Sequence, residues 1–501
     1  VINRILVLLT AALLGGAALP AHPRALALVG GTIIDGNGGE PIRNGVIVVD
    51  GNRIVAVGDA DTPIPRNARR IDTTGKFVIP GMMDANVHLV YDISPEFMLR
   101  FGDRLEEIIR EGAQVALKSG FTTIFDTWGP LEELKAVRDQ IARGEAPGAR
   151  LFVAGNIVGI DGPLTTDFFG PVTGLSQQTI DAINARWEQG VGKQLVYMSA
   201  EELRVRIREY LDKGIDFLKI GISAHGAGIY GFLSFSAESL QVMVGEARAR
   251  GLPVQTHTMT ADALRMAALG DFDLAQHCGT AYRQLPPDAK TLQLIPDSII
   301  KLVVERKLTC TMNSYTIREL RRRIGDTEGV VDLESIHSVP TGPDRERRAN
   351  VIAGHQNDRN LIKAGAIMAL STDAGVPWIG SSTIHRSSPC WKTPDECLHV
   401  LGTGHMAWFK AAHEMGMPPM QMLQSATRNV AAAYRKLDEL GTLEPKKIAD
   451  LVVLDGDPLA DFNNYRRIHL VIKDGRIVDR DSLPKDRVLT PLNEPYYAQL
   501  R

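Results

Sequence analysis

Between residues 80 and 437, short apolar runs alternate with stretches whose apolar positions recur every three or four residues. The runs read as buried strands and the periodic stretches as amphipathic helices. Gly120 to Phe125 and Leu151 to Ala154 have strand character, while Arg104 to Lys118, Ala200 to Lys213 and Ala237 to Arg250 carry helical spacing. Ser199 before Glu201-Glu202 and Ser236 before Glu238 mark helix starts with acids in the first turn. Gly214 and Gly251 follow two of these helices, where a left-handed cap belongs. Such alternation over this length predicts a parallel (β/α)8 TIM barrel.

The flanks are patterned differently. Leu26 to Val29, Thr32 to Ile34, Gly45 to Val49 and Ile54 to Val57 are short β-rich runs, with Asp50-Gly51 as a hairpin signal. The same style returns in Asp450 to Leu454, Leu470 to Lys473 and Arg476 to Val478, with Asp474-Gly475 as a turn. Both chain ends are therefore expected to build one small flanking β-sandwich domain. The expected divisions are 22–79 and 438–485 for that domain, 80–437 for the barrel and 486–501 for a tail. Three connections, 156–198, 314–350 and 376–400, look long and polar. The second is rich in arginine, including Arg318, Arg321, Arg322 and Arg323. It reads as a solvated insertion or oligomer contact, or else as a pocket wall.

Five residues able to bind metal close successive apolar runs of the barrel region: His88, Lys219, His257, His277 and Asp373. Strand ends of a parallel barrel converge on one face, so these side chains are expected around one point. Imidazole and carboxylate are ligands for zinc and related ions. Asn86 lies two residues before His88 and shares its face, but its amide oxygen is the weaker donor. Lys219 lies within Phe217-Leu218-Lys219-Ile220, where a bare ammonium is costly. A carbamate formed with CO2 turns that cation into an anionic ligand; a bond to a nearby carboxylate is the plainer alternative.

The 501-residue chain exceeds one ordinary domain, its hydrophobic fraction is 44%, and its net charge is only −3. Without a clustered basic excess, nucleic acid is not the expected partner, and a small molecule fits better. Residues 1–21 read as a secretory signal: Arg4, an apolar stretch from Ile5 to Leu19, and cleavage after Ala21. The expected location is periplasmic or secreted, with no membrane association after cleavage; assembly into a homo-oligomer stays open. Cys278 and Cys310 read as buried thiols, and Cys390 and Cys397 share one loop as a possible disulfide in an exported protein.

Together, Pro80-Gly81-Met82-Met83-Asp84 followed by x-His, the lysine strand, the two single-histidine strands and Ser371-Thr372-Asp373 resemble the metal-dependent amidohydrolase superfamily. Gly441-Thr442-Leu443-Glu444-Pro445 and Ala449 to Leu454 match as well. Asn86 stands where the superfamily usually has histidine. The variant resembles the Asn-X-His subgroup, which includes phenylurea and molinate hydrolases. The resemblance implies hydrolysis of a carbon–nitrogen bond, with His257, His277, carboxylated Lys219 and His88 holding one or two divalent ions. Zinc is the first expectation and cobalt or manganese the next, with firm binding at the Lys219, His257 and His277 end. Asp373 would bind metal and act as general base toward a water made acidic by the ion. His225 would donate to the developing oxyanion, and Tyr91, Trp128 and Tyr230 would line an apolar pocket. The expected substrate is a small, partly aromatic amide, urea or carbamate. A dipeptidase of Xaa-Pro type and a non-catalytic binding barrel are the rival readings.

Overall fold

A computed structural model describes residues 25–493 except 169–170, 225–231, 281–287, 313–314, 327, 334–335, 337, 341, 343 and 379–396. The apolar N-terminal stretch with its expected cleavage site therefore lies outside the described residues, as do His225, Tyr230 and Cys390. Among the described residues, no helix is long and apolar enough to cross a membrane.

The flanking unit is one eight-stranded sheet shared by the two chain ends. Its N-terminal strands are β1 (Leu26–Ile33), β2 (Ile42–Asp50), β3 (Arg53–Gly58), β4 (Arg69–Asp72) and β5 (Phe77–Pro80). After the barrel strands β6 to β13, the C-terminal part adds β14 (Leu451–Leu454), β15 (Ile468–Lys473) and β16 (Arg476–Ile477). The seam is β14 against β5, antiparallel, with Val452 opposite Ile79. Leu28, Ile47, Ile54, Val78, Leu451 and Ile472 meet in one apolar cluster, so neither end buries its apolar face without the other. The two runs read as separate strands before and after Gly30-Gly31 form one strand. A register shift between Val29 and Gly31 interrupts its ladder with β2.

The barrel strands are β6 (Met82–Val87), β7 (Phe121–Asp126), β8 (Arg150–Val153), β9 (Leu218–Gly221), β10 (Val254–His257), β11 (Leu274–Gln276), β12 (Thr309–Thr311) and β13 (Met368–Ala369). They form a parallel three-stranded and a parallel five-stranded sheet. Isolated parallel bridges join the two, Val158 to Ile220 on one side and Val87 to Ala374 on the other. The ring of strands is closed, a TIM barrel with a flanking domain.

Local chemistry explains why the helices start and stop where they do. Ser199 and Glu202 form a reciprocal capping box at the helix Ala200–Leu211, worth about 1 kcal/mol against alanine. Gly214 (φ 84°) follows it in the left-handed region that a residue with a side chain avoids. Below the mouth, Met83, Ala85, Phe125, Phe217 and Leu274 fill the barrel with Tyr434, whose ring stacks on Phe125 at 3.6 Å. The bottom is a packed core and not a channel.

Two expectations need correction. The long polar connections contain the helices Gln177–Glu188 and Ile317–Ile324, and a third helix, Arg345–Lys363, starts inside the second connection. The arginines disguise them: Arg322 and Arg323 pair with buried Glu319 and Arg321 with Asp326, while Leu320, Ile324, Ala349 and Ile352 share an apolar cluster. Cys278 and Cys310 are not free thiols. Cys278 lies just past β11 and Cys310 within the neighbouring β12, with Cα atoms 5.6 Å apart, and they form a disulfide. Cys397 is also disulfide-bonded.

Candidate active site

Every candidate ligand among the described residues sits at or just past the C-terminal end of a barrel strand or within it. Asn86 lies in β6, with His88 one residue beyond that strand; Lys219 and His257 lie in β9 and β10. His277 and Asp373 follow β11 and β13, and both adopt left-handed backbone conformations (φ 61° and 53°). Non-glycine residues seldom do so, and such conformations concentrate at functional sites. Backbone bonds fix the closure here: Asp373 N–H donates to Asn86 O, and His88 N–H to Ala374 O, each at 2.9 Å. A Cβ at Gly375 would lie 2.2 Å from His88 O, so this approach requires glycine.

A continuous chain of side-chain contacts spans the mouth. Lys219 Nζ donates to Thr127 Oγ1 at 2.8 Å, and Thr127 donates in turn to Asn86 Oδ1. Asn86 Nδ2 donates to Asp373 Oδ1 at 2.8 Å, and His88 Nε2 reaches the same oxygen at 2.9 Å. His88 Nδ1 lies 3.3 Å from Trp128 O, so the imidazole is held at both nitrogens. Lys219 thus has a hydroxyl partner in place of the adjacent carboxylate that the plainer reading supposed.

Burial lowers the Lys219 amine to about 8, against the opposing pull of Asp373 and Asp126. Burial raises the Asp126 carboxyl to about 6, countered first by the charge of His88. Burial also raises Asp373, but its bond to His88 and the charges of His88, His277 and His399 win, holding it well below the usual range. Asp373 is therefore ionised throughout the neutral range.

The other half of the site is a cavity of about 310 Å3 lined by His257, His277, Asp373, His399, Tyr315 and Arg323, among others. The His257 and His277 rings meet edge to face with centroids 5.1 Å apart. His399 Nδ1 lies 3.1 Å from Thr372 O, and burial lowers its imidazole. Arg323 places its guanidinium 3.8 Å from the centre of the Tyr315 ring. The arginine-rich stretch thus contributes to the pocket wall.

Tyr91 is half-buried and close enough to Asp373, Tyr315 and Arg323 to feel their charges, and desolvation raises its phenol well above 10. Trp128 stacks on Phe168 at 4.3 Å, donates to Asn156 at 3.0 Å and stands edge-on to His88. The sequence reading missed Thr127, Asp126 and His399. Asp126 had a usable signal, because it ends the run Phe121 to Asp126; Thr127, one residue further, had none. His399 had none, since it follows no strand.

Among the described residues, no three His, Cys, Asp or Glu side chains form a group able to hold a metal ion. Two imidazoles and a carboxylate nevertheless line one cavity, and a buried amine with a depressed pKa is tied to that carboxylate through Thr127 and Asn86. This donor set fits a divalent ion once Lys219 supplies an oxygen ligand.

Residues 77–478 match the model of the amidohydrolase family, and the chain belongs to that family. It is a carbon–nitrogen bond hydrolase, and its superfamily generally uses a divalent metal. A solved molinate hydrolase is 36% identical, with a TM-score of 0.82 over 93% of this chain and 97% of its own. Phenylurea hydrolase B is 34% identical, with a TM-score of 0.80 over 93% and 99%. Imidazolonepropionase of Porphyromonas gingivalis strain W83 is 24% identical over 468 residues, 90% of this chain and 91% of its own.

Proposed function

We propose that the protein hydrolyses a non-peptide amide, urea or carbamate bond in a small, partly aromatic substrate. The continuous linkage from Lys219 through Thr127 and Asn86 to Asp373 and His88, beside the His257–His277 pair, carries this reading. The likeness to a phenylurea hydrolase and a molinate hydrolase supports the substrate class.

Carboxylated Lys219, His257 and His277 would hold a divalent ion, zinc foremost, with cobalt or manganese in its place; His88 and Asp373 stand beside it, and Asn86 contributes weakly. The ion would supply a water that ionises near neutrality and a Lewis acid for the carbonyl oxygen. The amine of Lys219 attacks CO2 and releases a proton, and the lowered pKa provides the neutral amine this needs. Asp373 takes a proton from the attacking water and passes it to the leaving nitrogen. Its low pKa makes it a weak base that is always in the ionised state, so it depends on an acidified water. His88 and Asn86 both hold one carboxylate oxygen and orient the other.

The disulfide Cys278–Cys310 supports export to an oxidising compartment, as the N-terminal sequence pattern does. A dipeptidase reading draws on Arg323, which lines the cavity where a substrate carboxylate would pair with it. One assay separates the readings. Purified protein is offered anilides, phenylureas, carbamates and Xaa-Pro dipeptides before chelation, after chelation and after re-addition of zinc, cobalt or manganese. Metal-dependent turnover of the first three classes is expected. Turnover of dipeptides alone would favour the second reading, and full activity in metal-free protein would remove both.

A further inference from the structure

His399 lines the cavity at the mouth of the barrel but has no part in the hydrolysis as proposed. It comes from the connection after β13 and is held by one ring nitrogen. Nδ1 lies 3.1 Å from Thr372 O and 3.3 Å from Asp373 O. A carbonyl oxygen can only accept, so Nδ1 carries the proton that both contacts need. The free lone pair of the neutral ring is therefore on Nε2. That nitrogen has no hydrogen-bond partner among the described residues, and it is not closed off. His399 is partly exposed, and a ring with Nδ1 turned to the backbone presents Nε2 to the cavity.

The neighbours of that lone pair decide what it can do. Desolvation is the largest influence on the imidazole and favours its neutral form; Asp373 opposes this and Arg323 assists it. Arg323, on the same wall, has donors only. Asp373 Oδ1 is already taken by Asn86 and His88. His399 Nε2 thus offers a neutral acceptor on the stretch of wall that adjoins the base. An amide, urea or carbamate brings to such a wall a planar group whose nitrogen carries either an N–H or a further substituent. An acceptor recognises the first and leaves its own lone pair unmet against the second. A site built to bond a substrate N–H rejects the analogue that lacks it.

We infer that His399 is a specificity-determining residue: its Nε2 accepts the N–H of the group being hydrolysed. It thereby selects amides, ureas and carbamates that carry an N–H over their fully N-substituted analogues. The inference rests on the hydrolytic reading proposed above and narrows its substrate class. His399 itself neither holds the ion nor moves a proton.

Paired substrates that differ in that one N–H test it. The metal-loaded full chain is assayed with acetanilide and N-methylacetanilide, and with N-phenyl-N′,N′-dimethylurea and the same urea methylated at its aryl nitrogen. In wild type, kcat/KM should favour the unmethylated member of each pair. His399→Leu keeps much of the volume and removes the acceptor, so that ratio should fall about tenfold, with metal content unchanged. His399→Gln, which restores an oxygen near the position of Nε2, should recover most of it. General damage to the base slows both members of a pair alike, so the ratio carries the test and the rate does not. A ratio indifferent to His399→Leu, or lost equally in His399→Gln, would overturn the inference and leave hydrolysis standing. Loss of metal in His399→Leu would make the residue a ligand and overturn it as well. A wild type that turns over none of these substrates would overturn the hydrolytic reading itself, and the inference with it.

Discussion

The two halves of the mouth are built on opposite principles. On the side of β13, β6, β7 and β9, Lys219, Thr127, Asn86, Asp373 and His88 satisfy one another. On the β10 to β11 side, His257 and His277 meet edge to face at the wall of a cavity. The first half is pre-organised and largely self-neutralising; the second presents soft nitrogen donors to an incoming group. An ion is thus expected to bind firmly at the second half and to draw on the first through Lys219. The difference also gives Asn86 a reason: its amide donates to Asp373 with one end and accepts from Thr127 with the other.

The sharpest way to break this division is Lys219→Ala. It removes the proposed oxygen ligand, so metal content should fall and turnover should drop by more than about a thousandfold, read by elemental analysis and steady-state assay. Asp373→Asn keeps the shape and removes the base, and is expected to cost about 10² to 10⁴ in kcat while metal stays bound. Unchanged activity there would remove Asp373 from the chemistry.

Thr127→Val cuts the link from Lys219 to Asn86 without touching the proposed donors. Loss of about 10- to 100-fold in metal affinity or activity is expected, the usual scale for groups that orient ligands. The smallest effect is thermodynamic. In metal-free, unmodified protein, Lys219 is held near 8, below its ordinary value of 10.5. The unfolded chain then binds more protons between those values, so stability should rise as pH climbs from about 8 toward 10.5. Lys219→Met should flatten that slope in denaturant titrations at stepped pH. A slope that survives the substitution would assign it to another group.

The legibility of the sequence follows the same divide. Strands that end in a titratable residue announced themselves, because a polar group after an apolar run is costly without a role. His88, Lys219, His257, His277 and Asp373 were found in this way, and the flanking hairpins were found from Asp50-Gly51 and Asp474-Gly475. Thr127 was passed over because a threonine just past a strand is unremarkable until its neighbours in space are known. The helix Ile317–Ile324 was hidden by arginines whose partners, Glu319 and Asp326, become buried only in the fold. The disulfide between Cys278 and Cys310 joins strands separated by 32 residues, and pairing across neighbouring strands is set by register, which spacing alone does not give.

Anomalous diffraction at the zinc edge from crystals of the zinc-loaded protein tests the central claim most directly. The account predicts a strong peak within coordination distance of His257, His277 and a carboxylate oxygen of the carbamate on Lys219, with any second peak beside Asn86 weaker. A sole peak elsewhere, or an unmodified Lys219 still bonded to Thr127 beside a fully occupied ion, would contradict it.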